Sequence, residues 1–338
     1  MDFERVAVIG VNPISVSIAL RLKEQTEPSE IVGYDAQSVA AKMAHAQGAF
    51  DRVTRKLEQA CEDADLVFIA VPLTDMRETL TAIAPHLRSG CLVTDLAPLK
   101  APVIRWAEEL LPEDAYFIGG HPILNPAIIG LESPQGVEAR ADLLTEALYC
   151  LTPSPSGSSA VINAIAELVG VLGAYPFFID PAEHDGMQAG IEALPDLLTV
   201  ALLRSTVGTP GWQEMRKFAG HRFAAATAAA GDVHERRAAV FLNRENITGR
   251  LNILLGEIAR LRDALAQGDQ ELLEEMLAAA TESRERWTLE RARGLWGKGD
   301  FADSDLVPSA GEQIKHMLLG GSITKRLKRA EPDAPPES

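Results

Sequence analysis

Two features of this 338-residue chain have residue types and spacing that could do chemistry: the turn Gly10-Val11-Asn12-Pro13-Ile14-Ser15 and, 25 positions after its glycine, Asp35. A glycine-led turn between an apolar strand and a helix is where a dinucleotide pyrophosphate rests, because the first helical N–H groups lack intrahelical partners and point at it. Only the first of the three glycines usual in such a turn is present. Asn12 takes the place of the second; asparagine tolerates a left-handed turn, but its side chain fills space that the phosphates would use. Pro13 costs little at a first helical turn, and Ser15 is small enough for the helix to pack on the strand. Asp35 closes the second strand, where an acid accepts the ribose hydroxyls of NAD and repels the 2′-phosphate of NADP. Gly10, Asn12, Ile14 and Asp35 are therefore the candidates for binding a cofactor, with NAD preferred over NADP.

Other chemistries find no support. Cys61, Cys91 and Cys150 are too widely spaced for a zinc site or a disulfide framework and read as reduced core residues. Helical His-Glu-x-x-His, Gly-x-Ser-x-Gly and Walker patterns do not occur. A net charge of −16 repels phosphate backbones, so nucleic acid is not an expected partner. No apolar run approaches the roughly 18 residues needed to cross a bilayer, and no basic-then-apolar leader is visible, so the expected setting is cytoplasmic, without a membrane partner.

The elements that must position these residues can be read from the apolar pattern. Val6–Ile9, Ile31–Tyr34, Leu66–Ala70, Leu92–Thr94 and Tyr116–Ile118 are continuous apolar runs, as strands covered on both faces require. Helix-length stretches separate them, one with Thr74 as its expected N-cap and another with Pro102 in its first turn. Two more strands, 147–151 and 175–179, flank a further helix. The pattern predicts an α/β fold, a Rossmann-type doubly wound parallel sheet over residues 1–180, followed by an all-α domain over 181–300 and a mostly unstructured tail over 301–338. Within the helical part, Leu251, Leu254, Ile258, Leu261 and Leu265 make one stripe on a helix expected from His234 to Gly268. That stripe suits intramolecular core or a homodimer interface. Glu235, Arg236 and Arg237 read as a solvated face.

Several segments resemble the prephenate and arogenate dehydrogenase family of tyrosine biosynthesis, over roughly residues 4 to 265. They are Asp65 to Pro72, Thr94-Asp95-Leu96-Ala97-Pro98-Leu99-Lys100, Gly119-Gly120-His121-Pro122, Asp180 to Asp185, Leu194-Pro195 and Phe241 to Asn246. The resemblance implies NAD(P)-linked oxidative decarboxylation of a cyclohexadienyl alcohol, a small carboxylic acid, to an aromatic ring. It implies His121 as the base that accepts the hydroxyl proton, a role suited to histidine because its pKa lies near working pH. It further implies Asn125, His184 and Arg222 at the substrate, Val71 and Pro72 at the cofactor, and a homodimer built through the helical domain.

The chain departs from the family pattern at several points. Pro98 stands where the family has a serine, Asp196 where it has a second histidine, Thr227 or Ala228 where it has an arginine, and Arg236 where it often has a tryptophan. A relative that keeps the fold as a binding or regulatory module, and a dehydrogenase for another hydroxylated carboxylic acid, stay open as alternatives.

Overall fold

The computed structural model describes residues 3–26, 28, 30–125, 137–154, 158–228 and 232–292. Its elements are β1 (Arg5–Ile9), α1 (Pro13–Gln25), β2 (Glu30–Tyr34), α2 (Ser38–Ala46), β3 (Arg52–Val53), α3 (Leu57–Cys61), β4 (Leu66–Ile69), α4 (Leu73–Ile83), β5 (Leu92–Asp95), α5 (Ala101–Leu110), β6 (Tyr116–Ile123), β7 (Leu148–Pro153), α6 (Ser159–Val171) and β8 (Tyr175–Phe178). Helices alone follow: α7 (Pro181–Gln188), α8 (Leu194–Thr206), α9 (Trp212–Met215), α10 (His221–Ala226), α11 (Val233–Leu242), α12 (Arg244–Gln267) and α13 (Gln270–Ala292). The tail expected over 301–338 lies outside the described residues.

The strands form one sheet in the order β3-β2-β1-β4-β5-β6-β7-β8. Side chains alternate across it. Val6 and Val8 of β1 and Leu66 and Phe68 of β4 join the layer under α1 and α6, whereas Ala7, Ile9, Val67 and Ile69 join the layer under α4 and α5. Both faces are thus dry, which explains why the strands read as unbroken apolar runs. Each fully buried Ile, Leu or Phe here contributes about 1.5–3 kcal/mol relative to exposure.

The sheet is not wholly parallel. β6 and β7 pair antiparallel, with His121 opposite Cys150, while every other neighbouring pair is parallel. β6 also runs five residues past the expected Ile118. Its two glycines look like a loop in sequence, but a Cβ on Gly120 would lie 2.7 Å from the Asp95 carbonyl oxygen and 2.9 Å from the Tyr149 ring. Close approach of the neighbouring strands, rather than a turn, selects glycine there. The two-residue β3 carries too short a pattern to be read from sequence.

The helical half differs more from expectation. The long helix from His234 to Gly268 is two helices broken at Asn243, whose side chain donates to the Asp185 carbonyl at 2.7 Å. Gly268 does end α12, in the left-handed region at φ 70°. The apolar stripe is only partly covered within the single chain: Leu251, Leu254 and Leu261 are half-buried, whereas Ile258 is 45% and Leu265 65% exposed. Helix α4 starts at Leu73, so Thr74 lies inside it instead of capping it. The carboxylate of Glu235 accepts the Leu73 and Thr74 N–H groups at 2.6 and 3.2 Å, so Glu235 is not part of a solvated face. No helix among the described residues is long and apolar enough to cross a membrane.

Candidate active site

A cleft of about 740 Å³ opens at the C-terminal ends of β1, β2, β4 and β5. Strand order reverses between β1 and β4, the switch point where open α/β sheets bind ligands. Gly10, Asn12, Asp35, Val71 and Pro72 line it. Gly10 has φ +89°, and a Cβ there would meet the Ala70 carbonyl carbon at 2.6 Å, so only glycine lets β1 turn away beside β4. Ile14 does not line the cleft; its side chain packs against the core.

Asn12 behaves differently from the expected left-handed turn residue. Its backbone is extended (φ −140°, ψ 170°), and it is the N-cap of α1. Oδ1 accepts the N–H groups of Ile14 and Ser15, both at 3.0 Å, and Nδ2 donates to the Ala70 carbonyl at 3.2 Å. The Asn12 N–H donates to Ser15 Oγ at 3.0 Å, and the Val11 N–H to Asp35 Oδ2 at 2.7 Å. The Val16 N–H completes the set by donating to the Asn12 carbonyl at 3.0 Å. The donors that would cradle a pyrophosphate are therefore closed on the chain itself.

The charged groups lining the cleft are Asp35, Asp75, Glu78 and Glu235, with no Lys or Arg among the described residues. The residues fit a nicotinamide dinucleotide: Gly10 permits close approach of a ligand to the backbone, and Asp35 lies on the cleft wall just after β2.

Beside the far end of the cleft, formed by Leu96, Ala97 and Pro98, the β5–α5 loop carries a buried ion pair between Lys100 Nζ and Asp95 Oδ2. Both side chains are fully buried. The pair holds the peptide just before His121 from both sides: Asp95 Oδ1 accepts the Gly120 N–H at 3.1 Å and Lys100 Nζ donates to the Gly120 carbonyl at 2.6 Å. Burial pulls the pKa of Lys100 down, and the Asp95 charge opposes that pull.

His121 itself is part-exposed, and its Nδ1 lies 2.9 Å from Nε2 of His184, with the rings edge to face at 75°. The Nδ1 of His184 lies 2.9 Å from Asp185 Oδ1. Asp185 in turn caps α5, accepting the Lys100 N–H at 2.7 Å and the Ala101 N–H at 3.0 Å. Burial first, then the Lys100 charge and the neighbouring His184, hold His121 well below the ordinary histidine value of 6.5. A neutral imidazole placed so can accept a proton.

The structure redistributes the remaining candidates. His184 is 2% exposed, with one ring nitrogen against His121 and the other against Asp185. Asn125, at the end of β6, is buried and donates to Glu146 Oε2 at 3.3 Å. Arg222 is exposed on α10, and no hydrogen bond or ion pair among the described residues joins it to His121. Arg236 does not belong to a solvated face: it forms a two-pronged pair with Asp196, at 2.7 and 2.6 Å. The two departures from the family pattern, at 196 and 236, thus meet each other. Asp95 and Lys100 lie far from Asp185 in the sequence, and Asp185 far from Asn243; only their convergence in the fold gives them a role.

The family described as "Prephenate dehydrogenase, nucleotide-binding domain" matches residues 18–176, and "Prephenate dehydrogenase, dimerization domain" matches residues 180–279. The chain is 26% identical over 289 residues to the prephenate dehydrogenase of Bacillus subtilis, covering 83% of this chain and 76% of that protein. It is 25% identical over 285 residues to the cyclohexadienyl dehydrogenase of Zymomonas mobilis, covering 83% and 95%. The fold matches the crystal structure of prephenate dehydrogenase from A. aeolicus in complex with hydroxyphenyl propionate and NAD+, with a TM-score of 0.74 at 23% identity over 85% of this chain and 99% of that one.

Two substitutions test this geometry. Asn12→Gly opens the α1 donors, and because hydrogen bonds to charged groups are worth about 1.5–3 kcal/mol against the loss of one cap, NADH affinity should rise about tenfold. Fluorescence titration of NADH checks it, and unchanged or weaker binding would show that the Asn12 side chain is not in the way. Lys100→Met strands the buried Asp95 charge and should lower the unfolding free energy by about 3–5 kcal/mol, read from urea denaturation.

Proposed function

The chain belongs to the prephenate dehydrogenase family, and from that premise we propose that it catalyses NAD-linked oxidative decarboxylation of prephenate or arogenate, in tyrosine biosynthesis, with His121 as the base. The observation that carries this reading is a well-anchored His121 on the strand gripped by the loop that closes the dinucleotide cleft. When bound, the nicotinamide supplies the hydride acceptor for the ring carbon. Nε2 of His121 takes the hydroxyl proton, the substrate carboxylate departs as carbon dioxide, and the ring becomes aromatic. Asp35 bonds the ribose hydroxyls, and the carboxylates around it disfavour NADP. Asn125 and Arg222 are the side chains proposed to contact the substrate, Arg222 through its carboxylate.

We assign residues 1–180 to nucleotide binding and 181–300 to the helical domain. The exposed stripe on α12 supports a homodimer, because faces with residues as open as Ile258 and Leu265 are covered in an assembly more readily than left in water.

One observation favours a second reading, a non-catalytic relative that keeps the fold: every α1 donor is already used within the chain. Micromolar binding of NADH to the unmodified chain would argue against that reading.

His121→Asn should reduce NADH formation from NAD and prephenate or arogenate by about 10²–10⁴-fold. Undiminished turnover would remove His121 from the role of base. Because the base works unprotonated and titrates below 6.5 in the folded chain, kcat/KM should hold steady down to that value and fall only as pH drops further. Replacing both Ile258 and Leu265 with Glu should convert a dimer to a monomer, measured by light scattering on a sizing column.

A further inference from the structure

We propose that Asp185 and His184 are positioning residues that fix which nitrogen of His121 carries the proton, leaving Nε2 as the bare nitrogen that meets the substrate hydroxyl. The proposal rests on the reading of His121 as the base. It follows from a chain of donors and acceptors that has one consistent solution when His184 carries a single proton. An ionised carboxylate only accepts, so Asp185 Oδ1 at 2.9 Å requires a proton on His184 Nδ1. A neutral His184 then has an acceptor at Nε2, and its partner at 2.9 Å, His121 Nδ1, must be the donor. The lone pair of His121 is thereby confined to Nε2.

The far end of this chain is anchored. Asp185 is 3% exposed and His184 2%. The Asp185 carboxylate is also held by the Lys100 and Ala101 N–H groups, and its backbone carbonyl by Asn243 Nδ2 at 2.7 Å. A carboxylate fixed this way cannot swing to let His184 turn over. The device acts through Nδ1 alone, and Pro98, which lines the neighbouring cleft, has no side-chain hydroxyl to add to it. When Nε2 takes the hydroxyl proton, His121 becomes an imidazolium whose Nδ1–H still points at His184. The Asp185 charge, one ring away, then offsets the new positive charge. No electrons move in this step, and the proton ends on Nε2.

The test uses full-length protein with 15N-labelled histidine, in which the His121 signal is assigned by its loss in His121→Asn. In the unmodified chain near neutral pH, His121 should give a protonated Nδ1 and an unprotonated Nε2. Asp185→Asn, with its amide nitrogen in place of Oδ1, gives up the Lys100 N–H contact and presents a donor to His184, which reverses both rings. His121 should then carry its proton on Nε2, and kcat should fall by about 10³-fold or more, as enforcing the wrong histidine tautomer does in other enzymes. KM should stay within about threefold, since neither residue reaches the substrate. His184→Gln leaves the Asp185 cap on α5 untouched and should give a mixed tautomer signal with an intermediate kcat. It carries the test if Asp185→Asn does not fold.

An unprotonated Nδ1 in the unmodified chain overturns the proposal. So does a folded variant that keeps the original pattern with kcat within about threefold. Failure of the underlying reading is separate: turnover that survives His121→Asn removes the base, while the nitrogen signals still report the tautomer.

Discussion

The buried pair of Lys100 and Asp95 is the contact on which the site depends. A charge without water needs a partner and further hydrogen bonds, and the Gly120 peptide supplies them on both sides. The pair therefore does more than neutralise itself: it fixes the strand residue preceding His121, and it does so from the loop whose other face closes the cleft. Gly120 is glycine because this grip draws the strands too close for a Cβ. Asp185 reaches the same loop from α7 by capping α5, so the helical half of the chain is tied to the sheet at the point where chemistry is expected.

Electrostatics and capping oppose each other in the neighbouring cleft. Its carboxylates repel an anionic cofactor, and the usual compensation, a row of free N–H groups at a helix start, is occupied by Asn12. The cap stabilises α1 by about 1 kcal/mol in the empty protein, and that contribution is lost when phosphates replace it. On the proposed function, the cofactor phosphates and the Asn12 amide compete for the same donors.

Departures that look like damage when taken one at a time become partners in space. Asp196 and Arg236 replace a histidine and a tryptophan of the family pattern, and together they form a two-pronged ion pair between α8 and α11. Glu235, adjacent to Arg236, caps α4 at the edge of the cleft. Helix α11 is therefore fastened to both halves of the chain by consecutive residues, through charges that in sequence resemble an ordinary solvated face.

The sequence by itself determined the sheet and the place of the cofactor cleft, because dry strands leave unbroken apolar runs and a glycine-led turn leaves a local pattern. It also carried the motifs that mark His121, and with them the family. What it could not carry were relations between distant positions. The antiparallel pairing of β6 and β7, the break at Asn243 and the meeting of His184 with His121 all arise from contacts across tens of residues. The closure of the α1 donors by Asn12 is instead local, since its partners are Ile14, Ser15 and Val16, and only the bond from Nδ2 to Ala70 spans the chain. Periodicity and capping are properties of neighbours in the chain. The protonation pattern of a histidine is a property of what the fold places behind it, and only the tertiary structure decided that.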